Sequence, residues 1–293
     1  MALHPAVAKD TTARVNTIRC SSCNDWNRPQ VPFRVYGNTY YVGVHGLSAV
    51  LIATSKGLIL LDGGLPQSIP LIEANIRKLG FQVKDIRLIL NSHAHFDHAG
   101  GIAGLQRDSG AVVIASTLGA QALRNGQLGQ EDPQYNPSEK SGFPKVPQVR
   151  GVQDGEKVNL GDVSVTAYLT PGHTPGSTTW AWQSCEKKRC LSIVYADSLN
   201  PVSAEGFRFT GGSRHPDISS QFQQSIDRVS NLPCDILLSV HPDFSDVFEK
   251  LERRQKGSAV NPFIDPQGCR TYASTANRRL QERLSLEQVK TGK

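Results

Sequence analysis

Three of the chain's eight histidines and an aspartate fall within six positions, in Asn91-Ser92-His93-Ala94-His95-Phe96-Asp97-His98. The segment follows Ile86–Leu90, a short apolar run of the kind a strand buried on both faces requires. His93 and His95 are two residues apart, so in extended backbone their rings leave the same side, and Asp97 continues that row. A turn into a helix starting at Ala99 brings His98 to a neighbouring point, while Gly100 and Gly101 let the backbone pass close behind. Four good zinc or iron ligands at a strand end describe a metal site rather than core packing.

Such a site needs ligands from elsewhere. In Thr170-Pro171-Gly172-His173-Thr174-Pro175-Gly176-Ser177, two Pro-Gly pairs stiffen the turn that presents His173. His241 follows the run Asp235–Val240, and Pro242 stops that strand from continuing. His93, His95 and His173 then fill one site, and Asp97, His98 and His241 another. Three protein ligands per metal leave positions open for water, as in catalytic sites. Two metals about 3.5–4 Å apart can share a hydroxide whose pKa falls to around 7. Two zinc ions per chain are expected, although these ligands also suit iron or manganese. Asp62, closing Leu60-Leu61, either accepts a hydrogen bond from a ligand histidine or caps its own turn. His4, His45 and His215 are read as non-ligands.

The remaining sequence supplies a scaffold. Strand-like runs at 38–44, 48–53 and 57–62 precede a helix capped by Ser68, with Pro70 in its first turn and Gly80 as its stop. Residues 112–115 read as a strand, and 125–150 as a long aperiodic loop of the functional kind. A second series follows: alternation at Val163, Val165, Ala167 and Leu169 and around Trp180 and Trp182, then strand runs at 191–195 and 235–240. Helices are expected at 218–229, at 247–254 and, closing the chain, at 272–288. Strands then helices, twice over, predict an α/β fold: one domain of four layers, αββα, with two sheets face to face and helices outside. That pattern overrides the two-domain prior that 293 residues would give. The domain is expected over 28–288, between an extension at 1–27 and a tail at 289–293.

No apolar run approaches the ~20 residues of a membrane span. The net charge of +6 admits nucleic acid, but Arg278, Arg279 and Arg283 read as a solvated helix face. No basic arm or aromatic-basic interleaving surrounds the site, so neither nucleic acid nor membrane is expected as a partner.

Together these residues resemble the metallo-β-lactamase superfamily: Asp62, the H-x-H-x-D-H motif from His93 to His98, His173, Tyr195-Ala196-Asp197-Ser198 and His241, spread over 28–285. Finer features resemble the third subclass of class B β-lactamases, namely the segments 36–43, 46–50, 74–77 and 195–199. No cysteine lies near Asp197-Ser198, where the other subclasses carry a ligand cysteine. The resemblance implies the four-layer metallo-β-lactamase fold with two similar halves. It also implies hydrolysis of penicillins, cephalosporins and carbapenems, and so antibiotic resistance. A hydroxide between two zinc ions would attack the carbonyl carbon. The metal of His93, His95 and His173 would polarise the carbonyl oxygen, and that of Asp97, His98 and His241 would receive the ring nitrogen. Asp97 would also orient the hydroxide. Ser198 and Asn200 would bind the substrate carboxylate, with Gln134 a further substrate contact. Asp197 would support a ligand from behind, although in glyoxalase-II-like and lactonase members an Asp in this region bridges the metals. A monomer acting on a small molecule is expected.

Two disulfides resemble bridges of part of that subclass: Cys185–Cys190 across a hairpin loop, and Cys234–Cys269 between the strand before His241 and the terminal helix. Both favour an oxidising periplasm, although the first fifteen residues show no signal peptide. Cys20 and Cys23 are either bonded to each other or free. The competing readings are another hydrolase of the superfamily (a lactonase, thioesterase or nuclease) and a zinc-binding scaffold without activity.

Overall fold

Large apolar side chains on both faces of the strands demand two covered sheets, and the computed structural model, which describes residues 17–138, 142–213 and 215–289, contains them. His4, residues 1–16 and the tail from 290 lie outside the described residues. A short helix α1 (Cys23–Trp26) leads into seven strands that lie side by side in chain order. These are β1 (Phe33–Tyr36), β2 (Thr39–Tyr41), β3 (Val50–Thr54), β4 (Gly57–Leu61), β5 (Ile86–Leu90), β6 (Val112–Ser116) and β7 (Val149–Val152). The first four pair antiparallel through tight turns, and β4 to β7 pair parallel. Parallel neighbours need crossovers. Helices α2 (Ile69–Lys78), α3 (Phe96–Ala99) with α4 (Ile102–Ser109), and α5 (Thr117–Asn125) occupy those connections.

The second sheet has five strands in the order β12-β11-β10-β9-β8. They are β8 (Lys157–Leu160), β9 (Val163–Leu169), β10 (Thr178–Glu186), β11 (Arg189–Ala196) and β12 (Ile236–Ser239). Only β11 and β12 are parallel, and α6 (Ser219–Asn231) makes that crossover. Helices α7 (Val247–Gln255) and α8 (Gly268–Val289) close the chain.

Three apolar clusters stack along one direction. Val50, Ile52, Ile59 and Leu61 meet Val165, Trp180, Ile193 and Tyr195 between the sheets. Leu51, Leu60 and Ile89 lie under Ile72, Ile102 and Leu123 of the helices on one side. Val194 and Leu237 lie under Phe222, Ile226 and Leu280 on the other. Each fully buried Leu or Ile contributes roughly 1.5–3 kcal/mol. The order is therefore helix, sheet, sheet, helix, as the alternation predicted.

Local boundaries differ where tertiary contacts override pattern. The run at 38–44 is a strand only through Tyr41, because the backbone then turns at 44–47, where the Val44 N–H bonds to Leu47 O. Ser68 does not cap α2. Pro66 starts a helical turn earlier, and the Ser68 hydroxyl accepts from Leu65 N and donates to Asn27 Oδ1. The helix expected from Ala99 is two pieces, α3 and α4, broken at Gly100-Gly101, and the short β1 carries no signal that stood out in the sequence. The loop after α5 runs from Gly126 to 148 without helix or strand among its described residues. Cys185–Cys190 and Cys234–Cys269 are bonded as expected, and Cys20–Cys23 is a third disulfide.

Candidate metal centre

Four strand ends converge on one edge of the sandwich. After β4, Asp62 adopts a left-handed backbone, φ 58°, and is wholly buried. Its carboxylate accepts from Asn91 Nδ2 (3.0 Å), Ser92 N (2.8 Å), Ser92 Oγ (2.7 Å) and Tyr195 OH (2.8 Å). These bonds fix the first residues beyond β5, and Trp180 Nε1, donating to Asn91 O, adds a brace from the second sheet. The Nδ1 of His98 lies 3.9 Å from Asp62, too far for a hydrogen bond. Asp62 therefore latches the loop and the two sheets, and the bond from a ligand histidine considered in the sequence is not made.

The loop so held presents His93, His95, Asp97 and His98, all buried. His173 arrives on the turn after β9, where Gly172 at φ 149° lies so close to Phe222 that a side chain would collide with the ring. His241 follows β12 and leads into the helical turn Pro242–Ser245.

Outer hydrogen bonds decide which ring nitrogen each histidine offers inward. His93 donates through Nδ1 to Asp197 Oδ1 (2.6 Å), leaving a buried Nε2 with no partner. His95 donates through Nε2 to Asp132 Oδ1 (3.2 Å), so its Nδ1 carries the lone pair. His173 Nδ1 donates to the Asn200 carbonyl (2.8 Å) and His241 Nδ1 to the Gly46 carbonyl (3.1 Å), so the lone pair of each ring sits on Nε2. One donor atom each from His93, His95 and His173 lie within 4.8 Å of one another, and so do one each from His93, Asp97 and His98. Asp97 Oδ2, His98 Nε2 and His241 Nε2 form a tighter triangle, with edges of 3.2, 3.3 and 3.5 Å. Tetrahedral ligands about 2.0–2.1 Å from zinc stand about 3.3 Å apart. The second triangle has that spacing, and the orphaned His93 nitrogen marks the first group, so both donor sets fit a metal.

Protonation agrees. Burial, then the charges of His98 and His95, holds the His93 imidazole well below its usual value. Burial, with His95, brings His173 down to about 4, and burial, with His98, brings His241 down to about 4. Burial opposes ionisation of Asp97, but the charge and hydrogen bond of His98 and the charge of His241 outweigh it and place Asp97 well below the carboxylate range. At neutral pH these residues are neutral imidazoles and a carboxylate, the forms that bind cations. His95 and His98 move upward, because Asp132 and Asp97 respectively outweigh burial.

The profile of the metallo-β-lactamase superfamily matches residues 42–185. The solved Rm3 metallo-β-lactamase is 48% identical, with a TM-score of 0.88 over 92% of this chain and 100% of that one. The chain belongs to the metallo-β-lactamase superfamily. MEM-A1, a subclass B3 metallo-β-lactamase from a soil metagenome library, is 50% identical with a TM-score of 0.87, covering 91% of this chain and 100% of that one. These neighbours are hydrolases. Among curated relatives, YobT of Bacillus subtilis is 32% identical over 150 residues, half of this chain and 61% of that protein. The chain thus spans less than two thirds of that relative.

Within this metallo-β-lactamase architecture the expected ligand residues come together at one edge. Gln134 also reaches them, its Nε2 standing 3.4 Å from both His95 Nδ1 and His173 Nε2. Asn200 enters through its backbone carbonyl and is also one of the residues lining a cavity beside α8. Ser198 is buried, with its Oγ accepting from Asn200 N (3.4 Å). His45 stacks on Phe248 and His215 on Phe207, both outside the cluster.

Sequence reasoning missed Asp132, Gly46 and the carbonyl role of Asn200. Asp132 had a weak signal, an acid two residues before Gln134 in a loop already singled out. Backbone acceptors have none.

Proposed function

We propose that this chain is a dizinc β-lactamase of the third subclass, opening the β-lactam ring of penicillins, cephalosporins and carbapenems and so conferring antibiotic resistance. The observation that carries this reading is the pair of complementary donor triangles side by side at the strand ends. One is His93, His95 and His173; the other is Asp97, His98 and His241. Zinc bound there supplies Lewis acidity, which polarises a carbonyl and lowers the pKa of water toward ~7.

The chain's own residues supply the rest. Asp197, Asp132, Asn200 O and Gly46 O lock four imidazoles in the tautomer that turns a lone pair inward. Asp97 holds negative charge where a nucleophilic water needs an acceptor for its proton, and orients it. Gln134, at the mouth of the three-histidine group, offers an amide donor to the substrate. Ser198 and Asn200 lie on the segment that would face a substrate carboxylate. Asp197 engages the outer nitrogen of His93, which favours a supporting role over a bridging one. No serine or cysteine nucleophile is required.

Three disulfides suit an oxidising compartment such as the periplasm. No helix among the described residues is long and apolar enough to cross a membrane.

The test is turnover of a chromogenic cephalosporin by purified protein, before and after a chelator and after zinc is restored. Zinc-dependent turnover is expected. A protein that binds both metals but turns over only a lactone or thioester belongs to another hydrolase class of the superfamily.

A further inference from the structure

Behind the three-histidine group, Tyr272 in the first turns of α8 makes two hydrogen bonds to one short segment. Its hydroxyl donates to the Asp197 carbonyl (2.8 Å) and accepts from the Leu199 N–H (3.1 Å). Tyr272 is 8% exposed and the segment it grips is almost wholly buried. One residue of that segment, Asp197, carries the carboxylate on His93 Nδ1, and the residue after Leu199, Asn200, supplies the carbonyl on His173 Nδ1. A single phenol, contributed from the last helix, thus fixes the backbone bearing the outer partners of two of the three imidazoles. In the Asp97, His98 and His241 group, the outer hydrogen-bond partner of His241 is instead Gly46, on the turn between β2 and β3.

We propose that Tyr272 is a positioning residue for the metal site, holding the peptide from Asp197 to Asn200 so that His93 and His173 aim their inner nitrogens together. The inference rests on reading His93, His95 and His173 as metal ligands. It differs from that reading in what it predicts, because it concerns one metal of the two.

Loss of a direct hydrogen-bond partner of a ligand weakens metal binding about 10–100-fold. Tyr272 acts one step further out, so Tyr272→Phe is expected to weaken the three-histidine metal about 3–10-fold. The metal at Asp97, His98 and His241 keeps its affinity. Both are read by chelator competition against zinc, with cobalt substitution reporting the ligand field of each site. Imidazole nitrogen NMR of the metal-free variant is expected to show a displaced His93 Nδ1–H resonance. Thr275→Val, on the same helix and lining the same cavity of about 230 Å³ as Tyr272, is the matched control, expected to leave both affinities and that resonance unchanged. The proposal is overturned if Tyr272→Phe weakens both metals equally, changes neither, or lowers only the melting temperature. A wild-type chain that takes up no metal overturns the site assignment itself, and this inference with it.

Discussion

The two donor groups sit side by side and are built differently. In the three-histidine group every imidazole has an outer partner: Asp197 on His93, Asp132 on His95 and the Asn200 carbonyl on His173. In the other group only His241 has one, the Gly46 carbonyl, while the buried Nδ1 of His98 has none. His241 is also the more exposed ligand, its side chain 19% accessible against 1% for His98. One group is a preformed cradle whose outer partners come from two segments of chain, the loop at Asp132 and the peptide from Asp197 to Asn200. The other is a compact triangle whose rings are oriented largely by one another. Preorganisation lowers what binding must spend on ordering, so the cradle should hold its metal more tightly.

That contrast can be broken most severely by removing a ligand from each side. His173→Ala is expected to empty the cradle and cost more than about 100-fold in turnover, beyond the range for outer partners. His241→Ala is expected to lose comparable turnover yet keep the cradle's metal, as metal analysis after dialysis would show. Full activity in either variant would refute the ligand assignment. Next in size, Asp197→Ala should weaken the cradle's metal about 10–100-fold and leave the triangle untouched; equal loss at both would erase the distinction.

A milder test uses the intact protein. Graded chelation should strip the Asp97, His98 and His241 metal first, with an affinity gap of roughly 10-fold, the lower end of what such partners contribute. Reversed order would place the advantage in the triangle's anionic Asp97 instead.

The smallest effect is a control at a surface ion pair that contacts neither group. Although burial opposes it, the bidentate bonds of Arg228 and the Leu169 N–H hold the Asp154 carboxyl below its usual value. A depressed carboxylate stabilises above its unfolded pKa and loses that contribution as pH falls through the folded one. The pair is largely exposed, so Arg228→Gln should cost no more than about 1 kcal/mol at neutral pH, and less in acid, with both metals retained.

The residues of both donor groups were legible because side-chain chemistry at strand ends is written in the sequence. His93 and His95 advertise themselves by spacing, and His173 and His241 by the rigid turns and strand stops around them. The layer order was legible from alternation, as at Val163, Val165 and Ala167. What stayed hidden has a physical reason. Gly46 and Asn200 act through carbonyls, which every residue has. Asp132 lies in an aperiodic loop where nothing fixes direction, and Tyr272 looks from sequence like one apolar position of an amphipathic helix. Ser68 shows the reverse error: it has the right residue type for a cap, but Pro66 had already begun the turn.

Asp62 gathers donors from the loop beyond β5 and from Tyr195 on the facing sheet, which makes the distance between the sheets a coordinate of the metal centre. A change of volume in the layer around Trp180 or Ile193 moves the two halves of the ligand set relative to each other, and would be felt as altered metal geometry well before the protein unfolds. Two outer partners lie outside the latch, Asp132 on the loop after α5 and Gly46 on the turn at 44–47, so change in those segments reaches the centre through single hydrogen bonds to His95 and His241.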